Sequence, residues 1–247
     1  MPERLLDADC PHQAARPDGT VVDVLVFHDS LTRTAAQALT QLRAGTAPGC
    51  HYLIDQDGTV WRAVPESRAA RHAAEGSWRG MRALDGRSLA VMLVQTGPEG
   101  GARDYGLLQV AAAADLCLEL IGRHRIPARN IVGQSDIDPP RARGPNERFD
   151  WEQLARNGVG VWPDGLPDLG LGGGTGGPLR DAVRLRDVRR ALADIGYDIA
   201  PEGPLDPALA AVLRSFQRHW RPEAVNGQAD TGTLARLLAV ARLVAGT

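Results

Sequence analysis

"VVDVLVFH", residues 21–28, is apolar throughout apart from Asp23 and the closing His28. No alternation of polar and apolar residues breaks it. Such a run suits a strand buried on both faces, and that calls for helices on both sides of a sheet. His28 ends the run, where side chains emerge from a sheet edge. Downstream, Thr32 to Arg43 reads as a helix with Ser30 or Thr32 as its N-cap. "CHYLIDQDGTVWRAV" (50–64) reads as a β-hairpin turning at Asp57 and Gly58. "SLAVMLV" (88–94) is a further strand, with Leu89, Val91 and Leu93 on one face and Ala90, Met92 and Val94 on the other.

From Asp104 to Arg125 the apolar spacing becomes helical, through Val110, Ala113, Ala114, Cys117, Leu120 and Ile121. "NIVG" (130–133) is a short strand, and Trp151 to Arg156 starts a short helix. Residues 1–162 are therefore expected to form an α/β domain, a mixed β-sheet flanked by helices. Residues 163–178, "PDGLPDLGLGGGTGGP", are mostly Gly and Pro. They read as a flexible linker that reaches about 20–24 Å. Residues 179–247 carry three amphipathic patterns: Leu185, Val188, Leu192 and Ile195; then Leu209, Val212, Leu213 and Phe216; then Leu234, Leu237, Leu238 and Ala241. Asp206 with Pro207, and Asp230, open the second and third. The expectation is a small all-α three-helix domain, tethered as a binding appendage and near the lower size limit for a core of its own.

The chain has 247 residues and a net charge of −2, so no global basic field attracts nucleic acid. All 28 of its Lys+Arg residues are Arg, which removes lysine nucleophiles and Schiff bases from consideration. Cys10, Cys50 and Cys117 are widely spaced and form no zinc framework or disulfide-rich pattern. No apolar run is long enough to span a membrane. Met1 to Arg16 is polar and lacks the apolar segment of a signal peptide. The sequence as written points to the cytoplasm. A leader removed upstream would instead point to the cell envelope or periplasm.

The loop "GQSDIDPPRARGPNERFDW" (133–151) is heavily punctuated yet offers no obvious nucleophile and no histidine. With "VDVLVFH", "CHYLIDQDGTVWRAVPE", "HAAEGSWRG", "RSLAVMLVQTG" and "FDWEQLARNGVGVWPD", it resembles the zinc-dependent N-acetylmuramoyl-L-alanine amidases, which cleave peptidoglycan between MurNAc and L-Ala. "FQRHWRP" and "NGQADTGTLARLL" resemble the peptidoglycan-binding module often attached to them. The resemblance implies three zinc ligands: a His ending the first strand, a His in "G-H-S-D" and an Asp in "R-K-x-D-P-G". It also implies a Glu on the strand "S-I-G-I-E" and the Lys of "R-K-x-D" as catalytic helpers. The first position is His28. The others hold Gln134, Gly144, Met92 and Ala142 in that order.

A catalytic zinc needs about three protein donors and an open position for water. A neutral amide at Gln134 and no side chain at Gly144 leave His28 alone. Without the ion, water is not acidified from about 15.7 toward about 7. Met92 cannot exchange a proton, which removes help usually worth about 10²–10⁴-fold. Ala142 supplies no cation for an oxyanion. No metal cofactor is expected, although zinc is the family's.

Other readings compete at each residue. His28 is either a ligand contact or a hydrogen-bonded strand-end histidine. His51 reads as structural. His72 and Trp78 match a segment that lines the family's cleft. Gln134 and Arg141 join them as candidate binding residues. Trp220 reads mainly as core of the small domain, with ligand contact as the alternative. A cysteine nucleophile paired with His51 is disfavoured, because neighbours on a strand face opposite ways. Cys50 with His28 or His72 lacks an acidic partner. A rebuilt metal site from His28, Asp29 and Asp136 or His72 has no support in the spacing. The sequence thus suggests a pseudo-amidase with a binding or regulatory role in cell-wall turnover, its ligand peptidoglycan or muropeptides. An active amidase or another cell-wall protein is a further candidate partner. The alternative is an active amidase with an altered metal set.

Overall fold

The computed structural model describes residues 5–97, 101, 103–142, 144–167 and 182–246. In chain order the first elements are β1 (Leu5–Asp7), β2 (Gln13–Ala15), β3 (Val24–Asp29), α1 (Ala35–Ala44), β4 (Tyr52–Ile54), β5 (Val60–Arg62), β6 (Arg68–Ala70), α2 (Leu84–Arg87) and β7 (Ser88–Leu93). They are followed by α3 (Leu107–His124), β8 (Ile131–Gly133), the single turn α4 (Gln134–Ile137), α5 (Trp151–Arg156), α6 (Ala182–Ile195), α7 (Pro207–Trp220) and α8 (Thr231–Ala245).

Six strands form one sheet in the order β1-β5-β4-β7-β3-β8. Only β4 and β5 run antiparallel; the other neighbours are parallel, so the sheet is mixed. β2 and β6 make a separate antiparallel ribbon. The continuous apolar run at β3 is explained by its position between β7 and β8, with helices on both faces. On one face Leu25, Phe27, Leu89, Val91 and Ile131 pack against Ala113, Cys117 and Leu120 of α3 and Leu154 of α5. The other face is divided. Ala90, Met92 and Leu53 meet Ala35, Ala38, Leu39 and Leu42 of α1. Val24, Val26 and Val132 share a core with Val188, Leu192, Leu213, Phe216 and Leu237 of the C-terminal helices.

That shared core departs from the expected tethered appendage. The C-terminal module packs on the sheet and supplies part of its second helical layer. The expected linker lies mostly outside the described residues, from 168 onward.

Smaller differences have local causes. α1 starts at Ala35, because the Thr34 side chain, rather than Ser30 or Thr32, accepts from the Gln37 N–H. Ser30 and Thr32 bond to each other instead, at 2.8 Å. β3 begins at Val24, because Asp23 turns to an ion pair with Arg87 at 2.5 Å. The N-caps Asp206 and Asp230 accept from Leu209 N and Thr233 N, as their sequence positions suggest.

Candidate functional site

Strand pairing gathers residues that are far apart in the chain. β3 against β7 sets His28 beside Met92, and β4 sets Leu53 on the other side of Met92. β3 against β8 pairs Phe27 with Gly133, so Gln134 follows directly from that strand end. The Ser135 N–H donates to the Gly144 carbonyl at 2.9 Å, which folds the loop back over β3. A Cβ on Gly144 would lie 3.1 Å from both the backbone nitrogen and Oδ2 of Asp29.

His28 is 1% exposed, and its Nε2 finds no hydrogen-bond partner. Burial lowers its pKa to about 4, so the imidazole is neutral near pH 7. The His72 ring stacks on it with centroids 5.8 Å apart. Ser88 donates its hydroxyl to Leu84 O at 2.6 Å, so its oxygen accepts from His72 Nε2 at 2.8 Å. That network assigns the Nε2–H tautomer and leaves His72 Nδ1 buried, unprotonated and unpartnered. Burial also holds the His72 pKa well below its ordinary value.

The zinc of the family that the sequence resembles finds no matching donor set among these residues. Gln134 spends its Nε2 on a 3.2 Å bond to the His72 carbonyl and has only a neutral amide oxygen left. Gly144 has no donor side chain. Among the described residues, no three His, Cys, Asp or Glu side chains gather closely enough to hold a metal ion. Asp29 takes the space beside Gly144 and accepts from the Tyr105 hydroxyl at 2.8 Å. Burial pushes the Asp29 carboxyl up to about 7, with the Tyr105 bond partly offsetting that.

The remaining candidates fall into separate places. The Ala90 N–H donates to His51 Nδ1 at 2.9 Å, so Nε2 carries the proton and donates to Arg68 O at 3.0 Å. The ring ties β7 of the sheet to β6 of the ribbon, which makes His51 structural. Cys50 is fully buried, and burial raises its thiol pKa well above the ordinary value, so no thiolate forms. Trp78 does not line an open cleft. It is 1% exposed, donates to Arg129 O at 3.2 Å and meets Tyr197 of the C-terminal module edge-on. Trp220 is equally buried and stacks on His219, so it belongs to the core. Arg141 is exposed and pairs with Asp138 at 2.9 Å.

Sequence reasoning missed Tyr197 and His219, which reach from the module to Asp136 at 2.6 and 2.7 Å. His219 follows Val212 and Phe216 at helical spacing, on the apolar face of α7. A polar residue on a core-facing stripe was the available signal. Beside this contact, Glu75, Arg82, Ile137, Pro139, Arg141 and Val212 line a groove of about 540 Å³.

A mixed sheet whose central strand ends gather His28, Met92 and the loop from Gln134 to Gly144, backed by a helical module, defines an amidase-type α/β architecture. The N-acetylmuramoyl-L-alanine amidase family pattern matches residues 18–147, and that of the family described as "Putative peptidoglycan binding domain" matches residues 181–237. The chain belongs to the N-acetylmuramoyl-L-alanine amidase family. N-acetylmuramoyl-L-alanine amidase AmiD of Escherichia coli is 32% identical over 247 residues, which cover 93% of this chain and 85% of AmiD. The structure of E. coli AmiD with anhydro-N-acetylmuramic acid-L-Ala-D-gamma-Glu-L-Lys superposes with a TM-score of 0.78 at 28% identity, covering 92% of each chain. AmpDh3 of Pseudomonas aeruginosa in complex with anhydromuramic pentapeptide gives a TM-score of 0.76 at 26% identity, covering 95% of this chain and 96% of that one.

Proposed function

We propose that this family member binds muropeptides or peptidoglycan and does not hydrolyse them. The observation that carries this reading is the donor set at the strand ends. One buried imidazole, one amide and a glycine stand at the positions where the family holds its zinc. Met92 and Ala142 offer neither a base nor a cation nearby. The nucleophile, the proton carrier and the oxyanion partner are therefore missing together.

Binding draws support from the two family matches and from the relatives whose structures hold anhydromuramyl peptides. The groove beside Arg141 is lined in part by the loop itself, through Ile137, Asp138, Pro139 and Arg141. Its apolar floor includes Ile137, Pro139 and Val212, and its rim carries Arg82, Arg141, Glu75 and Asp138. Both guanidiniums are mostly exposed in ion pairs that exchange partners at little cost, so a peptide carboxylate competes for them. Calorimetric titration with an anhydromuramyl peptide tests the reading. Heat of binding with intact ligand recovered afterwards supports it; release of the stem peptide overturns it in favour of an active enzyme. Arg141→Ala is expected to weaken binding about three- to tenfold without lowering the melting temperature.

A further inference from the structure

We propose that Tyr197 and His219 are positioning residues, which hold the loop from Gly133 to Ala142 through the buried carboxylate of Asp136. The helical module thereby sets the shape of the strand-end site on the α/β domain. Asp136 sits in α4, two residues past Gln134, and is 1% exposed. A buried carboxylate needs several donors to be tolerated. One comes from its own loop, the Gly133 N–H at 2.8 Å. The other two come from the module: the Tyr197 hydroxyl at 2.6 Å and His219 Nδ1 at 2.7 Å.

Both donors are held rigidly. The His219 imidazole lies between Trp151 of α5, at 3.8 Å, and Trp220, at 3.5 Å. Tyr197 is wedged edge-on against Trp78. Further bonds fix the module at the same place. Arg79 donates to the Asp194 and Ile195 carbonyls at the end of α6, and Ser77 donates to Asp198 at 3.1 Å. The loop is thus bonded from both sides, and its hold on Asp136 comes mainly from the module.

This inference does not rest on ligand binding, so it is read from the protein alone. The amides of Ser135, Asp138, Arg141 and Ala142 are hydrogen-bonded within the loop and report its closure by hydrogen exchange. In the full chain, Tyr197→Phe removes one hydroxyl and His219→Ala removes the ring. Each is expected to speed exchange at those four amides roughly tenfold or more, while β7 keeps its protection. His219→Asn keeps an N–H donor near the Nδ1 position and is expected to exchange more slowly at the loop than His219→Ala. The proposal is overturned by unchanged loop exchange in both Tyr197→Phe and His219→Ala. It is equally overturned by an increase shared evenly among loop, α7 and β7, which is the mark of general destabilisation.

Discussion

The Asp29 carboxylate lies directly against Gly144, 3.1 Å from where a Cβ at 144 would stand. A side chain at 144 would project into Asp29, so Gly144→Asp is expected to destabilise the fold by about 1–3 kcal/mol. The consequence reaches the obvious repair experiment. Gln134→His, Gly144→Asp, Ala142→Lys and Met92→Glu together restore the family's residue types, yet they are expected to bind zinc only when Asp29→Ala is added. Stoichiometric zinc with Asp29 retained would contradict this crowding. Asp29 also has a pH signature. Its folded pKa of about 7 lies above the ordinary 3.8, so the folded state holds the proton more firmly. Its contribution is complete below about pH 4 and is lost as pH rises through 7. Asp29→Asn is therefore expected to gain stability relative to the parent between pH 4 and 7, by up to about 4 kcal/mol in denaturant melts. The residue types at 134 and 144 are legible in the sequence. The contact between Asp29 and Gly144 is not, because the two meet only through the folded loop.

Among the elements, β7 shows how much a short pattern determines. Its alternation assigned Leu89, Val91 and Leu93 to one face and Ala90, Met92 and Val94 to the other, and two different cores receive them. Likewise Asp206 and Asp230 mark helix starts by the same local chemistry wherever they occur. The docking of α6 was less legible. Leu185, Val188, Leu192 and Ile195 satisfy a three-helix core and a larger shared one equally well, since periodicity names a buried stripe and not its partner. Gly196, just past α6, shows the docked state. Its φ is +140°, and an added Cβ would lie 2.6 Å from Arg79 Cγ and 3.0 Å from Trp78. Gly196→Ala is expected to lower stability by about 1–3 kcal/mol, read as a fall in melting temperature. An unchanged melting temperature would mean that this contact loosens freely.

Across the whole molecule, the shared core couples the two family regions. Val24, Val26 and Val132 of the sheet lie in one cluster with α6, α7 and α8. Calorimetry of the full chain is expected to give a single transition, and residues 1–162 alone are expected to bind a hydrophobic dye. Two separated transitions would restore the picture of a tethered module. Acid sensitivity is also collective. Burial lowers the pKa of His28 to about 4 and of His51 to about 3, and depresses His72 and His219. Unfolded imidazoles take protons near 6.5, so between that pH and about 4 the unfolded state binds more protons. Stability from these groups is full above pH 6.5 and falls as pH drops, by about 3 kcal/mol for His28 alone. The direction is opposite to that of Asp29, and urea melts of the parent and Asp29→Asn separate the two. No described helix is long and apolar enough to cross a membrane. The chemistry at the strand ends is tested most directly by zinc content after purification and exchange into zinc-containing buffer, measured on the same sample as hydrolysis of an anhydromuramyl peptide. The account predicts far less than one zinc per chain, with the amide bond left intact; one zinc per chain with stem peptide released, and both lost on chelation, would contradict it.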